Sequence, residues 1–123
     1  MSDFALVHEK LEQIRDALQR IQRRFQFIES PDDFRSSDEN RDMLDAISMM
    51  LIAIGENFKK IDKDTDLQLL ARYPSVDWKG VKGIRDVIAH GYFDIDHEVI
   101  YEICNKEVGP LLATVETMLK ELP

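Results

Sequence analysis

The chain has 123 residues, of which 44% are hydrophobic and 33% charged, with a formal net charge of −8 and one cysteine. This length predicts a single domain over residues 1–123, and the hydrophobic content excludes a disordered chain. The acidic balance argues against a general nucleic-acid-binding surface, and the lone cysteine excludes an internal disulfide.

A cytoplasmic protein is expected from the apolar segments. The N-terminal segment has no apolar core of a secretory signal, and the longest apolar run, residues 49–54, is too short to cross a membrane. Neither a membrane partner nor an exported location is therefore expected.

Two long amphipathic helices are predicted in the first half of the chain, because apolar residues recur three or four positions apart. The first covers residues 4–28 and should end before Pro31, since the residue before proline avoids the helical region. Residues 31–40 are expected to be polar and turn-like. The seam of the second helix consists of Leu44, Ile47, Leu51, Ile54, Phe58 and Ile61. Four apolar residues lie off this seam and predict a second neighbour or a second subunit: Met49, Met50, Ile52 and Ala53.

The second half of the chain predicts shorter helices. We expect a helical piece around residues 67–71, a helix over 77–90, a helix capped by Asp94 or Asp96, and a last helix over 109–122. The fold class is therefore all-α, an antiparallel bundle of four to five helices. Cys104 is expected to be a small buried residue, and His8 and His97 to lie at the surface.

The stretch 78–94 concentrates the groups that could carry chemistry. Lys79, Lys82 and Arg85 fall within seven residues of an otherwise acidic chain, and His90 follows. A guanidinium binds phosphate through two hydrogen bonds, and an imidazole transfers protons near neutral pH. These groups suit RNA cleavage by attack of its own 2′-hydroxyl, which needs no metal. The sequence has no zinc-ligand motif and no glycine-rich phosphate loop, so no metal or other cofactor is expected.

Helix geometry qualifies this hypothesis. Asp86 and His90 are four residues apart, so on a regular helix they share a face and can hydrogen-bond. Arg85 and His90 are five apart and point about 140° away from each other, given roughly 100° per residue. Two copies facing each other across a dimer axis could bring both onto one phosphate, as could a helix that unwinds at Gly91. At a helix C-terminus the helix dipole would favour the protonated form of His90. This form suits a general acid better than a strong base.

The pattern Arg85-Asp86-x-x-x-His90-x-Tyr92 resembles the R-x4-6-H motif of HEPN domains. The H-x-Y ending resembles the HepT branch, the toxin of the MntA–HepT toxin–antitoxin pair. The segments 54–56, 78–79, 82–85 and 92–96 also match, and the resemblance covers most of the chain.

This resemblance implies a HEPN-like helical bundle whose homodimer builds an RNA-binding cleft between two motifs. Arg85 would bind or stabilise the scissile phosphate, and His90 would handle proton transfer. Asp86 fills a supporting position where family members often have asparagine. Tyr92 resembles the tyrosine that the nucleotidyltransferase antitoxin modifies with adenylate. The implied function is a metal-independent endoribonuclease toxin, silenced by adenylylation of Tyr92.

Other interpretations remain open at this point. The chain could be a non-catalytic HEPN-type module that binds a partner or nucleotide, or a structural helical adaptor for a nucleotidyltransferase. Lys79 and Lys82 are candidate RNA contacts, but each also fits a solvated surface charge. Gly55 fits a close contact between helices, and Trp78 fits a core or interface anchor.

Overall fold

The computed structural model of the protein describes residues 4–88 and 94–123. Its regular elements in these ranges are six α-helices and two short 3-10 helices, which confirms the all-α helical bundle. No helix in this part of the chain is long and apolar enough to span a membrane. The α-helices are α1 (Phe4–Phe25), α2 (Asp38–Asp64), α3 (Trp78–Lys82), α4 (Ile84–Ile88), α5 (His97–Lys106) and α6 (Val108–Glu121), and the 3-10 helices are Pro31–Arg35 and Leu70–Arg72.

The two long helices run antiparallel and form the centre of the bundle. The Arg24 guanidinium lies 3.5 Å from the Met50 sulfur, and the Lys10 ammonium lies 3.4 Å from an Asp64 carboxylate oxygen. The predicted seam of α2 is buried, and so is that of α1 between its two ends, where Phe4 is 42% exposed and Phe25 is half-buried. Helix α6 packs against α1. Each fully buried aliphatic side chain stabilises the fold by about 1.5–3 kcal/mol, so these seams are the main source of stability.

The connection between α1 and α2 differs from the prediction. Helix α1 ends at Phe25, and Ile28 is buried outside it. The supposed polar turn contains a 3-10 helix whose Phe34 is completely buried, 6.4 Å from the Phe25 ring between centroids. The prediction was wrong because a single apolar residue in a polar segment has no periodicity that could indicate burial. Ser37 then caps α2 by accepting a hydrogen bond from the Asn40 amide.

The predicted helix over 77–90 is two helices in the structure, which raises the helix count to six. Gly83 separates α3 from α4, and its carbonyl accepts a hydrogen bond from the Asp86 amide at 3.1 Å. Glycine costs a helix interior about 1 kcal/mol relative to alanine, so a break is easily made there. Downstream, Asp96 caps α5 as predicted by accepting from the Glu98 and Val99 amides.

The helical piece expected around residues 67–71 begins later in the chain. Asp66 and Leu67 have positive φ angles of 52° and 64°, which end α2 and delay the next turn until Leu70. Left-handed backbone cannot continue a right-handed helix, and propensity alone gives no sign of it at these residue types.

Two smaller expectations have opposite outcomes. Cys104 is buried as expected, and burial raises the pKa of its thiol to about 12. His97 is not a surface residue, since its side chain is only 17% exposed at the start of α5. Its Nε2 atom is buried, lacks a hydrogen-bond partner among the described residues, and lies 3.7 Å from an Asp32 oxygen. The prediction failed because the first 3-10 helix packs against α5 and covers this ring.

Candidate functional site

Helix α3 is fixed at its start by a cap and by its tryptophan. The Asp77 carboxylate accepts a hydrogen bond from the Gly80 amide at 3.1 Å. The Trp78 indole donates to the Tyr73 carbonyl at 2.9 Å, and its ring packs on Phe58 with centroids 4.9 Å apart. Trp78 therefore anchors this segment to the core, in agreement with one of the sequence interpretations.

The junction between α3 and α4 lies directly against α2 at Gly55. A Cβ atom at Gly55 would lie 2.7 Å from the Val81 carbonyl oxygen and 3.0 Å from the Ile84 Cγ2 atom. Only a residue without a side chain allows this approach, because real Cβ contacts are not that short. The close helix contact expected at Gly55 is thus present, and it sets the position of the helix that carries Arg85.

Helix α4 exposes Arg85 and Asp86 to solvent, and its last residue is held in the core. Ile88 at its end is completely buried, and the Ile88 carbonyl accepts a hydrogen bond from the Asp96 amide at 2.9 Å. Arg85, Asp86 and Val87 are exposed. Within residues 4–88 and 94–123, no carboxylate forms an ion pair with Arg85. Its guanidinium is therefore available to an anion such as a phosphate group.

His90, Gly91 and Tyr92 lie outside the described residues. The predicted Asp86–His90 hydrogen bond, the direction of His90 relative to Arg85 and the exposure of Tyr92 therefore stay predictions. The structure does bring Arg85 and Asp86 together on one short helix, five residues and four residues before His90.

The two candidate lysines differ in their surroundings. Lys79 is exposed and makes no ion pair with the described part of the chain. The Lys82 ammonium lies 2.6 Å from a carboxylate oxygen of Asp62, and these side chains are only 30% and 9% exposed. Lys82 is therefore not a freely solvated charge. Sequence reasoning missed Asp62, because a partner twenty residues away on another helix leaves no local signal.

We expect the Lys82→Met substitution to destabilise the fold by about 1–3 kcal/mol, because it leaves the buried Asp62 carboxylate without its partner. The double variant Asp62→Asn/Lys82→Met should recover most of this loss. Urea unfolding of the two variants and the parent measures both effects. Unchanged unfolding of Lys82→Met would show that this ion pair contributes nothing to stability.

The described residues contain no cluster of three or more His, Cys, Asp or Glu side chains placed to hold a metal ion. The described part of the site offers the unpaired Arg85 guanidinium on α4, beside the exposed Asp86 carboxylate, and the unpaired Lys79 ammonium on α3. That combination can bind and orient a phosphodiester, and proton transfer has to come from another group.

Comparison with known proteins gives matches over most of the chain. The family described as "Ribonuclease HepT-like" matches residues 14–118, a range that includes every predicted site residue. A proposed RNase of Methanocaldococcus jannaschii is 32% identical over 77 residues, which is 63% of this chain and 60% of that protein. A second proposed RNase of the same organism is 30% identical over 90 residues, 73% of this chain and 74% of its own length.

A proposed RNase of Caldanaerobacter subterraneus is 31% identical over 68 residues, 55% of this chain and 57% of that protein. The chain thus spans between about half and three-quarters of the length of these relatives. No solved structure gives a significant match.

Proposed function

Because the chain belongs to the HepT-like ribonuclease family, we propose that it is a metal-independent endoribonuclease toxin whose Arg85 and His90 act on one RNA phosphate. The observation that carries the proposal is the placement of Arg85. It is exposed and without an ion-pair partner among the described residues, on a helix held by Gly55 at one end and Ile88 at the other.

In the proposed reaction the RNA 2′-hydroxyl attacks the adjacent phosphorus. The O2′–P bond forms, the P–O5′ bond breaks, and the proton of the 2′-hydroxyl passes to solvent. Arg85 stabilises the added negative charge on the phosphate oxygens, and protonated His90 donates to the leaving 5′ oxygen. Asp86 supports the position of these groups, and Lys79 contacts a neighbouring phosphate. Lys82 takes part only if RNA competes with Asp62 for its ammonium group.

A homodimer is part of this proposal. Of the four apolar residues off the seam of α2, Met50 and Ile52 pack against the core of this chain. Met49 is 73% exposed and Ala53 is exposed one turn further along, and these two residues form the exposed Met49 strip. A second subunit in contact with this strip would remove its apolar surface from water. A symmetric dimer would place two motifs on one cleft, so that Arg85 could act with His90 of the partner subunit.

We expect the purified protein to cleave single-stranded RNA at the same rate with and without EDTA. The products should carry a cyclic 2′,3′-phosphate and a free 5′-hydroxyl, because the nucleophile is the RNA itself. Expression should also arrest growth, and His90→Ala should relieve the arrest. Loss of cleavage in EDTA would contradict the mechanism, whereas RNA binding without any cleavage would favour the non-catalytic module.

Tyr92 is the proposed regulatory residue, and the other two tyrosines support this choice. The Tyr101 hydroxyl donates to the Glu29 carbonyl at 3.0 Å, and the Tyr73 hydroxyl donates to Glu121. Burial, assisted by Glu121, raises the pKa of Tyr73 to about 12, which makes its phenol a poor nucleophile. Tyr92 lies two residues from His90, so an adenylate there would add negative charge beside the cleft.

We expect an MntA-like nucleotidyltransferase and ATP to add one adenylate to Tyr92, with release of pyrophosphate and loss of RNase activity. The Tyr92→Phe variant should remain unmodified and active, whereas Tyr101→Phe serves as the matched control and should still be modified. Intact-mass and peptide analysis locate the group. Silencing of Tyr92→Phe by the same treatment would assign control to another residue.

A further inference from the structure

A groove of about 510 Å³ lies between α3–α4 on one side and α5–α6 on the other, with α2 as its floor. Its floor and walls are mostly apolar. They include Leu51 and Ile54 from α2, Val81 and Ile84 from α3 and α4, and Val99 and Ile103 from α5. The exposed Val87 also lines the groove, on the same helix as Arg85.

Among the residues that the structure describes, the charged ones that line this groove are all acidic. They are Asp77, Asp96, Glu98, Glu102 and Glu107, and no lysine, arginine or histidine of residues 4–88 and 94–123 lines the groove. Caps on α3 and α5 hold the first two carboxylates in place, and Glu102 pairs with Lys106 at 2.8 Å. Glu98 and Glu107 are exposed and form no ion pair with the described part of the chain. The groove therefore offers two free carboxylates beside an apolar surface.

This charge excludes two of the possible occupants. RNA would bring phosphates against five carboxylates, which costs energy at every contact. A second copy of this chain, joined by a two-fold axis through the groove, would place the same acidic groups opposite each other. The complementary occupant carries positive charge beside an apolar stripe.

We propose that this groove docks an amphipathic helix of a partner protein, with leucine-type anchors in the groove and lysine or arginine residues against Glu98 and Glu107. An apolar floor between two helical walls suits a helix, whose anchors recur at i, i+3, i+4 and i+7. The proposal does not depend on the catalytic roles of Arg85 and His90. It defines a protein-binding surface that is separate from the exposed Met49 strip.

A synthetic peptide with leucines at i, i+3, i+4 and i+7 and flanking lysines is the probe, and fluorescence anisotropy with the full chain is the measurement. The test variant is Glu98→Gln/Glu107→Gln. The control variant, Glu9→Gln/Glu116→Gln, removes the same two charges from exposed positions outside the groove. Circular dichroism checks that both variants are folded. A second test variant, Val87→Ser, removes an apolar contact without changing the charge.

We expect the peptide to bind the parent chain, and the test pair to weaken binding by roughly three- to tenfold, with less than about twofold change in the control pair. Val87→Ser should also weaken binding, and a peptide with glutamates in place of the lysines should not bind. If the test pair and the control pair weakened binding equally, the effect would come from the net charge of the chain and not from the groove, and the proposal would be overturned. Absence of peptide binding would also overturn the proposal. So would self-association through the groove, which light scattering would detect because the test variant would then dimerise more tightly than the parent.

Discussion

Arg85→Ala is expected to lower the rate of RNA cleavage by roughly a hundred- to a thousandfold. Removal of a preorganised donor that stabilises charge formed in the transition state lowers the rate by about this factor. His90→Ala should cost roughly a hundred- to ten-thousandfold, the range for a general acid. Arg85→Ala should not change the unfolding midpoint much, since Arg85 is exposed and makes no ion pair among the described residues.

The control for this prediction is Arg23→Ala, which removes an equal charge from an exposed position on α1. It should leave cleavage within about twofold, because a single remote charge is screened at physiological salt. Rates are compared under single-turnover conditions with a labelled single-stranded RNA. Arg85→Ala activity equal to that of the parent would contradict the assignment of the phosphate-binding residue, whatever the effect of His90→Ala.

Mixing the two inactive variants distinguishes a site within one chain from a site shared by two. If Arg85 acts with His90 of the partner subunit, a heterodimer of Arg85→Ala and His90→Ala contains one intact site, and cleavage returns to a substantial fraction of the parent rate. If both residues act within one chain, each heterodimer site remains incomplete and cleavage stays low. Refolding the two variants together before the assay allows subunits to exchange.

The second large effect is expected at Gly55. Gly55→Ala should destabilise the fold by about 1–3 kcal/mol, because the new Cβ would lie 2.7 Å from the Val81 carbonyl oxygen and 3.0 Å from Ile84 Cγ2. Both neighbours must shift to relieve the overlap, and Val81 contributes backbone that cannot rotate away. The shift also moves α4, so RNA cleavage should fall along with stability.

Gly109→Ala is the matched control, because a Cβ at this position near the start of α6 meets no atom within 4 Å apart from its chain neighbours and its own helix backbone. It should change the stability by less than about 1 kcal/mol, because the preference of a helix for alanine over glycine is opposed by Pro110, which disfavours helical backbone at a preceding residue that has a Cβ. Urea unfolding gives both values. If Gly55→Ala were as stable as Gly109→Ala, the contact between α2 and the α3–α4 junction would accommodate a Cβ without loss of stability.

Part of the candidate site was predictable from sequence, because the groups that carry its chemistry are close in the chain. Arg85 and Asp86 lie on a helix, as the helical pattern over 77–90 predicts, and the family match covers the whole motif. The relation of Arg85 to His90 stays a prediction, because it assumes a regular helix from residue 85 to residue 90, and His90 lies outside the described residues.

The sequence by itself determined the fold class, the buried faces of the long helices and the cap of α5 by Asp96. Each of these depends on residues within one or two helical turns of one another, which a local pattern records. Only the tertiary structure decided that Phe34 is buried, that Lys82 pairs with Asp62, and that Asp77 and the acidic residues of the segment 96–107 line one apolar groove. These contacts join residues from different elements. They depend on how the helices pack, and neither the periodicity nor the composition of any one segment specifies that packing.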